Sequence, residues 1–120
     1  MSLVVRPANK LPVARIPLKR YINCMILSFG DKATEDFYNG IVSKDSRKIP
    51  RTIHSVAFRK LDMINSAQVL TDLKSPPANH LESLKGNLKG FFSIRINDQY
   101  RVVFKMSQSN VAEARIVDYH

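Results

Sequence analysis

The sequence predicts an α+β domain, an antiparallel β-sheet with two N-terminal helices packed on one face. Apolar residues recur at helical spacing between positions 53 and 67, and from Gly90 onward the period changes to 2. A strand-like run ahead of the helices completes the order strand, helix, helix, three strands, which places both helices on one side of a single sheet. At 120 residues the chain has the length of one domain with a modest core.

Residues 1–24, MSLVVRPANKLPVARIPLKRYINC, hold three of the six prolines and follow neither period. They read as an N-terminal extension, an arm or a start-site artefact, ahead of a domain spanning residues 25–120. Met25 opens MILSF, a short strand. Gly30 and Asp31 then offer a turn with Asp31 as N-cap of a helix in KATEDFYNG, which should stop at Gly40. Pro50 suits the first turn of a second helix, where a missing N–H costs little. Its inner face is Ile53, Val56, Ala57, Leu61, Ile64 and Ala67, while Arg51, Arg59, Lys60 and Asp62 lean outward. The tandem prolines of KSPPANH end the helical pattern, and a loop follows.

In FFSIRINDQYRVVFKM, Phe92, Ile94 and Ile96 alternate with Ser93 and Arg95, and Tyr100, Val102 and Phe104 alternate with Arg101, Val103 and Lys105. This is a β-hairpin. A two-residue turn at Asn97 and Asp98 would set Arg101 beside Ile94 on the core face. A three-residue loop from Asn97 to Gln99 pairs Ile96 with Tyr100 and Arg95 with Arg101, keeping the apolar set together, and is the expected register. VAEARIV supplies one further strand, with Ala112, Ala114 and Ile116 inward and Glu113, Arg115 and Val117 outward.

The net charge of +9 is unevenly placed, with +5 in residues 1–24 and +4 in the remainder. A moderately basic domain is compatible with a polyanionic partner such as nucleic acid and equally with simple solubility. No apolar run approaches the roughly 18 residues of a membrane span. The single cysteine, Cys24, has no intrachain partner, and no signal-peptide pattern opens the chain, so a reducing cytoplasm is expected. There is no Gly-rich phosphate loop, CxxC pair, HExxH helix or GxSxG elbow, which removes the usual support for nucleotide-dependent, zinc and α/β-hydrolase chemistry.

The expected register sends Arg95, Arg101 and Lys105 to the sheet face that the helices leave uncovered, with Arg115 joining from the last strand. Clustered guanidinium groups suit phosphate, although one face of any half-exposed sheet is polar. Two arginines opposed across a hairpin favour the phosphate reading, because facing like charges destabilise unless an anion binds between them. LESLKGNLKG adds Lys85 and Lys89, in a loop that either clasps a nucleic-acid backbone or is merely solvated. The ending IVDYH offers a carboxylate in Asp118, a phenol in Tyr119 and, in His120, an imidazole able to give and take protons near neutrality. A solvated chain end is the plain alternative. His54 reads as structural or surface, and His80 is left open.

SPPANHLESLKG, the hairpin FFSIRINDQYRVVF and the ending IVDYH together resemble the HigB toxins of bacterial toxin–antitoxin pairs, within the RelE/ParE superfamily, across residues 25–120. The resemblance implies a small RelE-like fold. It also implies an endoribonuclease that enters the ribosomal A site and cuts messenger RNA during translation, and a helix-turn-helix antitoxin of the HigA kind as partner. Carried over by position, Asp118, Tyr119 and His120 would be active-site residues and Arg101 a phosphate-binding arginine. Arg95 stands where related toxins have a basic residue, and Ser93 where some have lysine. Some members have a histidine where this chain has Glu82. Either Glu82 accepts the proton, His80 reaches the site, or other groups serve, and Glu82 is the expected acceptor. Lys85, Lys89, Lys105 and Arg115 complete the expected RNA-binding set. The nucleophile would be the ribose 2′-hydroxyl, so neither metal nor other cofactor is strictly needed. A ParE-like gyrase poison and a non-catalytic RNA- or antitoxin-binding module are the alternatives.

Overall fold

The computed structural model describes residues 25–107 and 110–119. The expected N-terminal arm and His120 lie outside the described residues. In chain order the elements are β1 (Met25–Ile26), α1 (Lys32–Tyr38), α2 (His54–Ser66), β2 (Glu82–Ser83), β3 (Phe91–Arg95), β4 (Tyr100–Ser107) and β5 (Asn110–Asp118). The strands form one sheet of order β1-β5-β4-β3-β2.

Local chemistry accounts for both helices. Asp31 is extended and its side chain accepts from the Thr34 N–H at 2.8 Å, capping α1. The helix gives out at Asn39, and Gly40 follows at φ +77°, a left-handed conformation suited to glycine. Pro50 leads a 3₁₀ turn, Arg51–Ile53, into α2. Ile53, Ala57, Leu61 and Ile64 are buried against the sheet, where Ile94, Val102 and Phe104 meet them with no exposed surface.

The structure departs from the sequence reading in four places. The sheet is not wholly antiparallel: β1 runs parallel to β5, with Met25 opposite Asn110 and Ile26 opposite Val111. Both helices and the other three strands lie between them in the chain, the kind of long crossover that parallel pairing requires. On β5 the buried pair is Val111 and Ala114, whereas Ala112 stands opposite Lys105. Val103 faces Arg115 but Lys105 faces Ala112, so Glu113 and Ala114 share the partner Phe104. That extra residue, with Glu113 at φ +56°, is a β-bulge that reverses the alternation. Third, the 81–90 segment is not all loop, because β2 pairs with β3, Glu82 opposite Ser93 and Ser83 opposite Phe92. Lastly, Lys60 does not lean outward. It is buried at 6% exposure and its Nζ donates to Asn79 Oδ1, because the proline segment folds back along that flank of α2.

Asp36, on α1, is 2% exposed and accepts from Ser43 Oγ at 2.7 Å and from Lys32 Nζ at 3.0 Å. The Ser43 hydroxyl first, and Lys32 second, hold its carboxyl below the usual carboxylate range. A carboxyl so lowered adds stability above the unfolded-state range, and that contribution is lost as pH falls through the folded value. Asp36→Asn should therefore lower stability at about pH 7 and lower it less at about pH 3. Urea unfolding of both proteins at the two pH values tests this, and a gap of equal width at low pH would exclude the carboxylate as its source.

Candidate active site

The hairpin loop sets the geometry. Asn97 Oδ1 accepts from the backbone N–H groups of Gln99 and Tyr100, both at 2.8 Å, and the Ile96 N–H donates to the Tyr100 carbonyl at 2.9 Å. A side-chain-closed turn of this kind suits asparagine and fixes the three-residue loop. It imposes the expected register, Ile94 opposite Val102 and Arg95 opposite Arg101. Gln99 also ties in the last strand. Its carbonyl accepts from the Tyr119 N–H at 2.6 Å, and its side-chain amide donates to Asp118 Oδ2 at 3.1 Å. The loop that presents Arg101 thus holds the end of β5 beside it.

Arg101 does not stand off the sheet but lies across β3 toward β2, with 9% of its side chain exposed. Nε donates to Ser93 Oγ at 2.8 Å, and Nη2 donates to the Ser93 carbonyl at 3.4 Å and to the His80 carbonyl. Glu82 Oε1 is 4.0 Å from Nη2. The Tyr119 ring centroid is 5.4 Å from the guanidinium carbon, a cation–π contact. Among the described residues Nη1 has no acceptor, so part of the five-donor fork is uncommitted.

Glu82, Arg101 and Tyr119 are therefore brought together, with Asp118 opposite Tyr100 at the end of β5. The opposed arginines diverge: Arg95 turns to an ion pair with Asp98, while Arg101 runs the other way to Ser93 and His80. Each guanidinium is met locally, and the pairing itself requires no anion between them. Lys105 is not part of this group. It pairs with Glu113 at 3.7 Å and lies over the Phe91 ring, four residues along β4 and thus about 13 Å from Arg101. The Arg115 stem packs against Gly30, where a Cβ would come within 2.9 Å of Arg115 Cδ. Lys85 and Lys89 are exposed around the turn Gly86–Leu88. The His80 side chain is exposed, and it is the residue's carbonyl that reaches the site. His54 is structural: Nε2 donates to the Ile49 carbonyl at 2.9 Å, and the ring stands edge-on to Phe37 at 4.9 Å.

Two supporting roles escape the sequence reading. Ser93, noted only as standing where some related toxins have lysine, shares the face of Arg101 by its period-2 position and accepts from its Nε. His80, weighed as a side chain that reaches the site, contributes its backbone carbonyl, for which the sequence carries no signal. Among the described residues no group of three or more His, Cys, Asp or Glu side chains could hold a metal ion, and no helix is long and apolar enough to cross a membrane.

The class is therefore a small α+β protein whose sheet carries a largely buried arginine bonded through Nε and Nη2 to neighbouring segments. A family model for the RelE-like toxin of type II toxin–antitoxin system HigB matches residues 27–120, and the chain belongs to that family. It is 48% identical over 81 residues to Toxin HigB-1 of Vibrio cholerae serotype O1, covering 68% of this chain and 83% of the relative. It is 47% identical over 64 residues to an uncharacterized protein of Haemophilus influenzae, covering 53% of this chain and 63% of that one. Among solved structures it is similar to the YoeB–YefM complex from Staphylococcus aureus, at 24% identity and a TM-score of 0.46 over 82% of this chain and 98% of that one. The YoeB/ParE toxin from Agrobacterium tumefaciens gives 20% identity and a TM-score of 0.41 over 79% of this chain and 98% of that one.

Because Ser93 is fully buried and supplies the Nε acceptor, Ser93→Ala should destabilise by about 1–3 kcal/mol, the cost of an orphaned buried donor. Urea unfolding measures this, and an unchanged midpoint would mean that Nε finds another acceptor.

Proposed function

We propose that this type II toxin is a ribosome-dependent endoribonuclease that cuts translated messenger RNA in the cytoplasm, stopping translation and growth, and that a helix-turn-helix antitoxin of the HigA kind restrains it. Residues 25–120 would form the toxin domain and residues 1–24 an extension. The observation that supports the reading is the pre-oriented guanidinium of Arg101, with no acceptor at Nη1 among the described residues and with Glu82 and Tyr119 beside it.

The chemistry follows from RNA itself. The 2′-hydroxyl oxygen bonds to the adjacent phosphorus as the bond from phosphorus to the 5′-oxygen breaks, giving a cyclic phosphate and a free 5′-hydroxyl. Glu82 takes the 2′-hydroxyl proton, and it is exposed enough to meet a ribose. Arg101 donates from Nη1 to the phosphoryl oxygens as negative charge builds there, in a position that needs no rearrangement at the moment of reaction. His120 returns a proton to the 5′-oxygen, with Tyr119 beside it and Asp118 orienting the chain end. The exposed Lys85, Lys89 and Lys105 and the half-buried Arg95 and Arg115 would contact the RNA more peripherally, as cations whose contribution falls with salt.

Mapping 5′ ends on a defined message incubated with ribosomes tests the reading, with a ribosome-free control and with Arg101→Lys and His120→Gln compared after each is shown to unfold like the native protein. Each substitution should slow cutting on the order of 100-fold, which corresponds to about 2.7 kcal/mol of barrier. Folded native protein that cuts no translated message, yet arrests growth with DNA damage, would replace this reading with that of a gyrase poison.

A further inference from the structure

Lys60 is an expensive residue to place where it is. It lies on the flank of α2 at 6% exposure, and burial lowers its readiness to hold a proton, with the nearby charges of Arg59 and Arg95 acting in the same direction. Among the described residues it has no ion pair, and its Nζ makes one hydrogen bond, to Asn79 Oδ1 at 2.5 Å. A buried cation held by one amide oxygen is a poor way to stabilise a fold, because desolvation outweighs a single neutral acceptor.

Asn79 is fully buried and is a junction. Besides accepting from Lys60, its Nδ2 donates to the carbonyls of Leu73 at 3.0 Å and Ser75 at 3.4 Å and approaches Met63 Sδ at 3.8 Å. One side chain therefore binds α2 to the turn Leu70–Lys74 and to the proline segment. The next residue, His80, is left-handed at φ +46° and ψ +57°, which a residue with a Cβ holds only when its surroundings dictate it. Its N–H donates to the Pro77 carbonyl at 3.0 Å, its side chain is exposed, and its carbonyl accepts from Arg101 Nη2. The odd backbone conformation thus has one visible product, the aim of that carbonyl.

We infer that Lys60 and Asn79 are positioning residues for Arg101, their hydrogen bond locking the turn that directs the His80 carbonyl onto the guanidinium. The importance of this for cleavage rests on the proposed reading of Arg101 as the phosphate-binding group, but the positioning itself does not. Without the lock the turn relaxes, Nη2 loses its acceptor, and the fork swings away from the line in which Nη1 meets a phosphate. Neither residue touches substrate in this scheme.

The test uses the full chain with its native C-terminus and compares Lys60→Met, Asn79→Ala and the double variant Lys60→Met with Asn79→Leu. Three quantities are read: urea stability, exchange of the Arg101 Nε–H with water by NMR, and cutting of a message on saturating ribosomes, with the ribosome concentration at half rate recorded separately. Lys60→Met and Asn79→Ala should speed Nε–H exchange and slow cutting by up to about 100-fold, the scale expected of a misplacement of roughly 1 Å, with the half-rate concentration unchanged. The double variant removes the Lys60 donor and its Asn79 acceptor together but leaves the Leu73 and Ser75 carbonyls without Nδ2, so it should regain part of the stability lost in Asn79→Ala but none of the cutting. Recovery of cutting along with stability would overturn the inference, since the pair would then be a packing device only. So would unchanged exchange in both single variants. If Asn79→Ala does not fold, Lys60→Met, which keeps most of the buried stem, carries the same comparison. If the native protein cuts nothing, the enzymatic reading falls while Nε–H exchange still decides the positioning: unchanged exchange overturns it and faster exchange sustains it.

Discussion

A guanidinium laid flat across a sheet has to be met by acceptors, because a buried charge left unpaired costs several kcal/mol. Much of the irregular structure in this chain is where those acceptors come from. Ser93 supplies a hydroxyl and a carbonyl from the neighbouring strand, His80 a carbonyl from the turn before β2, and Tyr119 a ring face from beyond β5. Three segments far apart in the chain converge on one side chain. The hairpin loop ties down the last of them, since Gln99 binds both Tyr119 and Asp118. The loop that presents Arg101 thus also fixes Asp118 and Tyr119.

The opposite face of the sheet imposes a second constraint, and the β-bulge satisfies it. Val111 and Ala114 are three positions apart, which in a regular strand places them on opposite faces, yet both are fully buried. The extra residue at Glu113 turns both toward the helices. Its cost appears at Gly30, where a Cβ would sit 2.9 Å from the Glu113 carbonyl. Glycine lets the two backbones close, with the Gly30 N–H donating to the Ala114 carbonyl at 2.8 Å and Ser28 Oγ accepting from the Glu113 N–H at 3.0 Å. Beyond the bulge the ladder resumes and sets Asp118 opposite Tyr100, which delivers Tyr119 to the site.

What could be read from the sequence was whatever local pattern dictates. The Asp31 cap, the apolar stripe of α2 and the hairpin register follow from interactions within a few residues or from the need to keep one apolar face together, and they stand. The bulge was illegible because a period of 2 assumes an unbroken ladder. The parallel pairing of β1 depends on how a long crossover returns. Lys60 looked solvated because only a remote segment buries it. The site divides in the same way. Arg101, Glu82 and Tyr119 meet, whereas Lys105 shares the face of Arg101 but lies at the other end of the strand, paired with Glu113. Period places a residue on a face but not at a point along it.

The distribution of cations carries a physical argument about the proposed reaction. Lys85 and Lys89 are exposed, so their attraction to a polyanion is screened by salt and offset by the entropy of ordering long side chains. They suit capture. Arg101 is already oriented, and its Tyr119-covered, largely desolvated guanidinium strengthens any interaction that it makes with a developing charge. With Nη2 and Nε committed to the protein, Nη1 alone lacks an acceptor among the described residues, so in the proposed reaction a phosphate would be received in one orientation. Glu82 Oε1 lies 4.0 Å from Nη2 of that guanidinium. In the proposed reaction the carboxylate that takes the proton and the guanidinium that meets the developing charge would thus be neighbours, so that one bound phosphodiester would reach both.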